Sequence, residues 1–220
     1  MTGEVYISGI YQVGEIGDKL GASTKWKGAE WPEESFKLPR KPKEASAAIQ
    51  HCASGHKLDY SQYPEAVAIW NEKAFAKIRD FAWVSGFLTV KEKVADVLRQ
   101  FDLGGGELVP VPLFKADRVT PWPEPFYYIN YGGPKDTSVP DESPDAKLHI
   151  ERQPPKKSTY HVPFGFSDDG VALSTAALNG ADIWMERHVY GKLFLSGALV
   201  DALHAAQIDV DLRLAKCRVV

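Results

Sequence analysis

Proline and glycine interrupt this chain so often that long uninterrupted elements are excluded. There are 15 Pro and 18 Gly among 220 residues. Proline cannot donate to a strand ladder and breaks a helix interior, and glycine loses the most backbone freedom on ordering. The pattern predicts many loops and short elements, and with the strand and helix signals along the chain the expected fold is α+β: a mixed, mostly antiparallel sheet with a few amphipathic helices, rich in loops. With 44% apolar and 25% charged residues the composition is that of a globular protein, and a chain of this length builds a core without staples.

Charge and cysteine usage narrow the function. A formal net charge of -3, with no Lys/Arg stripe to neutralise phosphates, argues against a nucleic-acid partner. The one basic run, Lys37 to Lys43, is broken by prolines and reads as a solvated loop. Cys52 and Cys217 make no disulfide framework. The N-terminus lacks the basic-then-apolar pattern of a secretory leader, and no apolar run approaches the ~18 residues of a membrane span. A cytoplasmic protein without a membrane partner is expected.

Along the chain, Val5–Ile7 reads as a short strand, and residues 64–79 are spaced roughly as an amphipathic helix. Thr89 with Glu92 forms a capping-box pattern ahead of Val90, Val94, Val97, Leu98 and Phe101, and Gly104-Gly105-Gly106 ends that helix. Leu108 to Leu113 is strand-like, but Pro110 and Pro112 confine it to an edge. FYYINY, residues 126–131, is a strong strand. Residues 132–157 form a polar stretch with five prolines, long enough to suggest a functional or disordered loop. Asn179-Gly180 carries a hairpin signature. Ser196 then opens a helix bearing Leu199, Val200 and Leu203, and IDVDLRL alternates as a last strand with Val210, Leu212 and Leu214 on one face. The two helical segments share a plan of strand, hydroxyl cap and helix, but their apolar offsets differ, so no duplicated unit is inferred.

The stretch DIWMERHVYGKLFLSGALVDALHAA, residues 182–206, concentrates the polar chemistry. In a strand, Asp182, Trp184, Glu186 and His188 share one face. Asp182 and Glu186 then stand about 13 Å apart, beyond the ~5 to 9.5 Å of a glycosidase pair. Ser196 lacks a G-x-S-x-G elbow and sits where a helix N-cap belongs. The rest of the chain offers less. His51-Cys52 with His56 lacks a fourth ligand for zinc, the three glycines follow a helix instead of preceding one, and Asp168-Asp169-Gly170 reads as a turn. No cofactor and no metal are expected.

The segments FAWVSGFLTVKEKVADVLRQFD, ELVPVPLF, FYYINY and ADIWMERHVYGKLFLSGALVDALHAAQIDVDLRL resemble the immunity protein eleven family, whose members are encoded beside polymorphic toxins in bacteria. The resemblance covers about residues 80–214. Its most telling piece is Asp182-Ile183-Trp184 followed by Gly191, Phe194 and Ser196. It implies a non-catalytic, cytoplasmic protein that blocks a cognate toxin in competition between bacteria. One domain over residues 1–220 is expected, with 1–80 poorly defined and 81–220 family-like.

Aromatics set among charges suit such a binder. The expected partner-binding residues are Trp122, Glu124, Tyr128, Tyr131, Asp136, Asp141 and Glu142, with Tyr127 and Asp145 beside them, and an acidic loop of this kind would attract a basic toxin. The same aromatics equally fit a core strand beside a solvated loop. The alternative function is a small hydrolase or transferase with its site around Glu186, His188 and Ser196.

Overall fold

The computed structural model describes residues 3–12, 21–33, 41–153, 156–208 and 212–220. In chain order it shows β1 (Val5–Ser8), β2 (Ala22–Lys25), α1 (Lys43–Ala53), β3 (Ala66–Ile69), α2 (Glu72–Phe75), β4 (Phe81–Val84), β5 (Phe87–Lys91), α3 (Glu92–Leu98), β6 (Glu107–Pro110), β7 (Leu113–Phe114) and β8 (Phe126–Asn130). The second half adds β9 (Lys147–Ile150), β10 (Thr159–His161), β11 (Ala172–Leu173), β12 (Ile183–Met185), β13 (Val189–Tyr190), β14 (Leu193–Ser196), α4 (Gly197–Ala205), β15 (Leu214–Lys216) and β16 (Arg218–Val219). The fold is α+β, as expected, and its elements are short.

Two four-stranded sheets, ordered β4-β5-β8-β6 and β12-β14-β1-β15, carry most of the core. All pairings in both are antiparallel. The second sheet is buried on both faces, which explains its continuous apolar strands. Ile183, Met185, Leu193 and Leu195 enter a large cluster with Phe75, Phe87 and Leu199, while Val5, Ile7, Trp184 and Phe194 enter a smaller one with Val171 and Leu173. The alternation expected across 182–186 is the one observed.

Several local expectations give way to tertiary pairing. Residues 66–69 form a strand instead of a helix. They pair with β2 on one side and β7 on the other, and all four are buried, so the strand has no polar face to betray its period. A short helix follows, capped by Asn71, whose side chain accepts from the Ala74 amide at 3.1 Å. Thr89 does not cap α3. It pairs with Tyr128 inside β5 and its hydroxyl donates to the Phe87 carbonyl at 3.1 Å, leaving Lys91 at the N-cap without a side-chain bond. Ser196 does cap α4, accepting from the Leu199 amide at 3.2 Å.

The tight hairpin lies elsewhere than Asn179-Gly180. Residues 175–178 form a 3-10 turn, and β11 pairs with β16 while β12 pairs with β14. The two-residue loop is Ser85-Gly86, between Val84 and Phe87 of β4 and β5. Both residues have positive φ, 58° and 95°, as a primed turn requires. Thr24 holds the Ser85 hydroxyl at 2.8 Å, a contact from a distant strand. The strand at Leu108 is at a sheet edge, as its prolines demand. In IDVDLRL, residues 209–211 lie outside the described residues, as does most of the basic run 37–43; the described strand is Leu214–Lys216, paired with β1.

Gly104-Gly105-Gly106 also finds its purpose here. A Cβ on Gly132 would stand 1.8 Å from the Gly104 carbonyl oxygen, and one on Gly106 would stand 2.4 Å from that of Asn130. Two backbones meet at van der Waals distance, which only glycine permits.

A candidate partner-binding face around a three-stranded surface sheet

Glu186 is the pivot of this region. It is 3% exposed and accepts from the Thr137 amide at 2.9 Å, the Ser138 amide at 3.1 Å, the Trp184 indole at 3.0 Å and the Thr137 hydroxyl. A buried carboxylate with this many donors has its lone pairs met by hydrogen bonds. Beside it the Lys135 ammonium lies 3.6 Å from the Trp184 ring centroid and donates to the carbonyls of Asn179 and Ala181, each at 2.8 Å. Backbone bonds from Lys135 to Met185 and from Arg187 to Lys135 complete the contact.

The first part of the proline-rich stretch is therefore pinned. It makes one parallel bridge from Lys135 to Glu186 at the end of β12 and one antiparallel bridge from Ser138 to Leu173 of β11, includes a 3-10 turn at Pro140–Glu142, and leads into β9. Of the two alternatives expected for this stretch, a functional or a disordered loop, the disordered one is set aside for these residues, because the Thr137 and Ser138 amides are satisfied by Glu186.

The other polar residues of 182–206 have distinct employments. The Ser196 hydroxyl donates to Asp182 at 2.5 Å, and Asp182 also accepts from the Asp102 amide at 2.9 Å. His188 stands 3.6 Å from Asp136. Glu186, His188 and Ser196 thus each serve a different local contact.

The expected partner-binding residues divide among separate places. Tyr128 and Tyr131 are 0% and 1% exposed. Tyr128 stacks on Tyr63 at 5.0 Å, and Tyr131 shares a hydroxyl contact of 3.0 Å with Tyr11. Neither presents a surface to a partner, because FYYINY lies inside the sheet between β5 and β6. Trp122 is half-buried against Phe75, with ring centroids 5.1 Å apart, and Tyr127 lies under the Arg99 guanidinium. Glu124 is exposed, 4.0 Å from Lys91.

Asp136 and Asp141 do come together. With Ser138, Lys157, Tyr160 and His188 they line a cleft of about 250 Å³. This is no free acidic surface: Asp136 pairs with Lys157 at 2.9 Å, Glu142 with Arg218 at 3.5 Å, and Asp145 accepts from the Ser167 amide at 3.0 Å. Burial of Asp136 opposes its ionisation, but the Lys157 ammonium and His188 outweigh it and hold the carboxyl below the usual carboxylate range.

What the sequence reading missed is the sheet beside that cleft, ordered β13-β10-β9. All four residues of β9 are exposed, with Leu148 at 52% and Ile150 at 44%, and Tyr190 on β13 is 68% exposed. His149 stacks on Tyr190, centroids 5.4 Å apart. Thr159 pairs with Ile150 and Tyr160 with Leu148, so His149 is the extra residue of a β-bulge. His149 and Ile150 consequently open on one cleft of about 220 Å³, shared with Arg152, Arg187 and Tyr190. The signal for this sheet was the run Leu148-His149-Ile150 inside otherwise polar sequence.

Among the described residues no group of His, Cys, Asp and Glu could hold a metal, and no helix is long and apolar enough to cross a membrane. His51 and His56 stack on one another at 4.3 Å while Cys52 is buried, its thiol pushed up to about 12 by desolvation. Searches against protein-family profiles and curated proteins find no match for the chain.

Proposed function

We propose that this chain is a non-catalytic binding protein of the immunity type, one that neutralises a cognate bacterial toxin by covering it. The observation that carries the binding reading is the small surface sheet with Leu148, Ile150 and Tyr190 in solvent. Large apolar side chains grouped on one exposed element favour a protein partner, since their removal from water is what an interface core supplies. The employment of Glu186, Ser196 and His188 in separate structural contacts supports the same reading. The toxin as partner rests on the resemblance of residues 80–214.

The test is co-expression with the product of the adjacent reading frame. A toxin-bearing neighbour should co-purify with this chain and lose its growth inhibition in its presence. Ser196→Ala should leave protection intact. Loss of protection in that variant with normal folding, or failure of both co-purification and rescue, rejects the proposal.

A further inference from the structure

The cleft shared by Arg152 and Arg187 lies across one face of the small sheet. It takes Ile150 from β9, Thr159 from β10 and Tyr190 from β13, and Ala53 and Ser54 at the end of α1 bound it. The register brings the two arginines to the same end of that sheet. The Arg152 amide donates to the Ser158 hydroxyl at 3.0 Å, and the Tyr160 amide donates to the His188 carbonyl at 2.7 Å. Arg152 and Arg187 therefore stand beside the start of β10, one on each side of it. Two strand spacings, about 10 Å, separate their backbones, a gap that two long side chains close.

Arginine use elsewhere in the chain marks this pair out. Arg99 bonds Glu92 and Asp96, Arg218 pairs with Glu142, Arg213 covers the Phe164 ring and Arg118 the Trp31 ring. Among the described residues the guanidiniums of Arg152 and Arg187 have no ion pair, hydrogen bond or ring contact. Asp136 is paired with Lys157 and feels Arg187 as the weakest of its cationic neighbours. Between the two arginines Thr159 holds a buried hydroxyl without a hydrogen-bond partner. Two like charges and an unused donor converging on one concave place favour an anion there. Two features oppose it, and both are muted. Glu186 reaches the cleft wall, but its oxygens accept from the Thr137 and Ser138 amides and the Trp184 indole. The last carbonyls of α1 are bonded by the amides of Ser54, Gly55 and His56.

The donors and the walls select the anion. A lone carboxylate offers two oxygens and is satisfied by one guanidinium fork, whereas a phosphoryl group offers three and takes forks from two sides. Tyr190 is 68% exposed and stacks on His149, so with Ile150 it supplies a flat apolar wall against which an aromatic ring packs. At about 220 Å³ the cleft is smaller than the ~300 to 1,000 Å³ of pockets that enclose drug-sized ligands, so the ligand is a small one. We propose that this cleft binds a small aromatic phosphate monoester, its phosphoryl group between Arg152 and Arg187 at the start of β10 and its ring against Tyr190. The site goes beyond the toxin-binding reading and does not depend on it.

The probe is phenyl phosphate, titrated into the full chain at an ionic strength of about 0.15 M, with inorganic phosphate and benzoate in parallel. Amide chemical shifts at 150, 159 and 190 are followed. Phenyl phosphate should bind with a Kd below about 1 mM and at least about tenfold more tightly than either control. Arg152→Ala and Arg187→Ala should each weaken it by about tenfold or more. Arg187→Lys keeps the charge without the fork and should weaken it nearly as much. Tyr190→Ala should bring phenyl phosphate down to the affinity of inorganic phosphate. All three side chains are exposed, so the far-ultraviolet spectrum should stay unchanged in each variant. No shift at about 10 mM phenyl phosphate overturns the inference, as does equal affinity for benzoate or undiminished binding in either arginine-to-alanine variant. A phosphotyrosyl peptide that bound at least about tenfold more tightly than phenyl phosphate would assign the cleft to a modified side chain of a partner and also overturn it. None of these measurements involves the toxin, so the site and the binding reading fail separately.

Discussion

Two sheet edges in this molecule meet opposite fates. β12, the edge of the sheet between the two cores, is met at its end by Lys135, and the following residues 137 and 138 are held there by the Glu186 carboxylate. β9, the edge of the surface sheet, is left open with its apolar side chains in water. The difference teaches that the polar chemistry of this chain is spent inside, on closing an edge, while the surface available for recognition is largely backbone and hydrocarbon.

The strongest way to break the contrast is to uncover the closed edge. Glu186→Leu leaves the Thr137 and Ser138 amides and the Trp184 indole without their acceptor. The expected loss is on the order of 3 to 5 kcal/mol in urea unfolding, with faster amide exchange at 137 and 138. A stability change under about 1 kcal/mol would show that Glu186 is not the pin.

Next comes the glycine contact that delivers the chain to β12. Gly132→Ala drives a methyl into the Gly104 carbonyl, and a loss of about 1 to 3 kcal/mol is expected from the forced separation. Ser196→Ala removes the cap of α4 and the bond to Asp182; about 1 kcal/mol by thermal unfolding is expected.

The smallest effect sharpens the comparison through pH. Asp136 has its carboxyl depressed in the folded chain, so its contribution is present above the unfolded value of about 4 and is lost as pH falls through the lower folded value. Acid titration of unfolding should show a shallower slope in Asp136→Asn than in the unaltered chain. An identical slope would mean that the Lys157 contact does not hold in solution.

Legibility in the sequence tracked how locally each feature is decided. The Ser196 cap, the strand at FYYINY and the edge strand marked by Pro110 were readable, because a hydroxyl before an apolar helix, a β-branched aromatic run and a missing N–H act within a few residues. Thr89 satisfied the same capping rule and failed it, since pairing with Tyr128 from thirty-odd positions downstream claimed its backbone. Residues 66–69 looked helical because a strand buried on both faces loses its period. Among the expected partner-binding residues, Asp136 and Asp141 share a cleft, whereas Tyr128 and Tyr131 are buried in the core. The β9 sheet was overlooked because four residues in a proline-rich stretch give too short a pattern.

What the amino-acid order determined by itself is the grain of the molecule: short elements, an α+β mixture, alternation across 182–186, and glycines where backbone must turn or touch. Which edge is closed and which is open was decided only by tertiary structure. Glu186 and Thr137 are 49 positions apart, and so are out of reach of any local rule. Burial turns that carboxylate from a catalytic candidate into an acceptor for neighbouring backbone amides, and exposure turns an unremarkable Lys147–Ile150 into an open sheet edge.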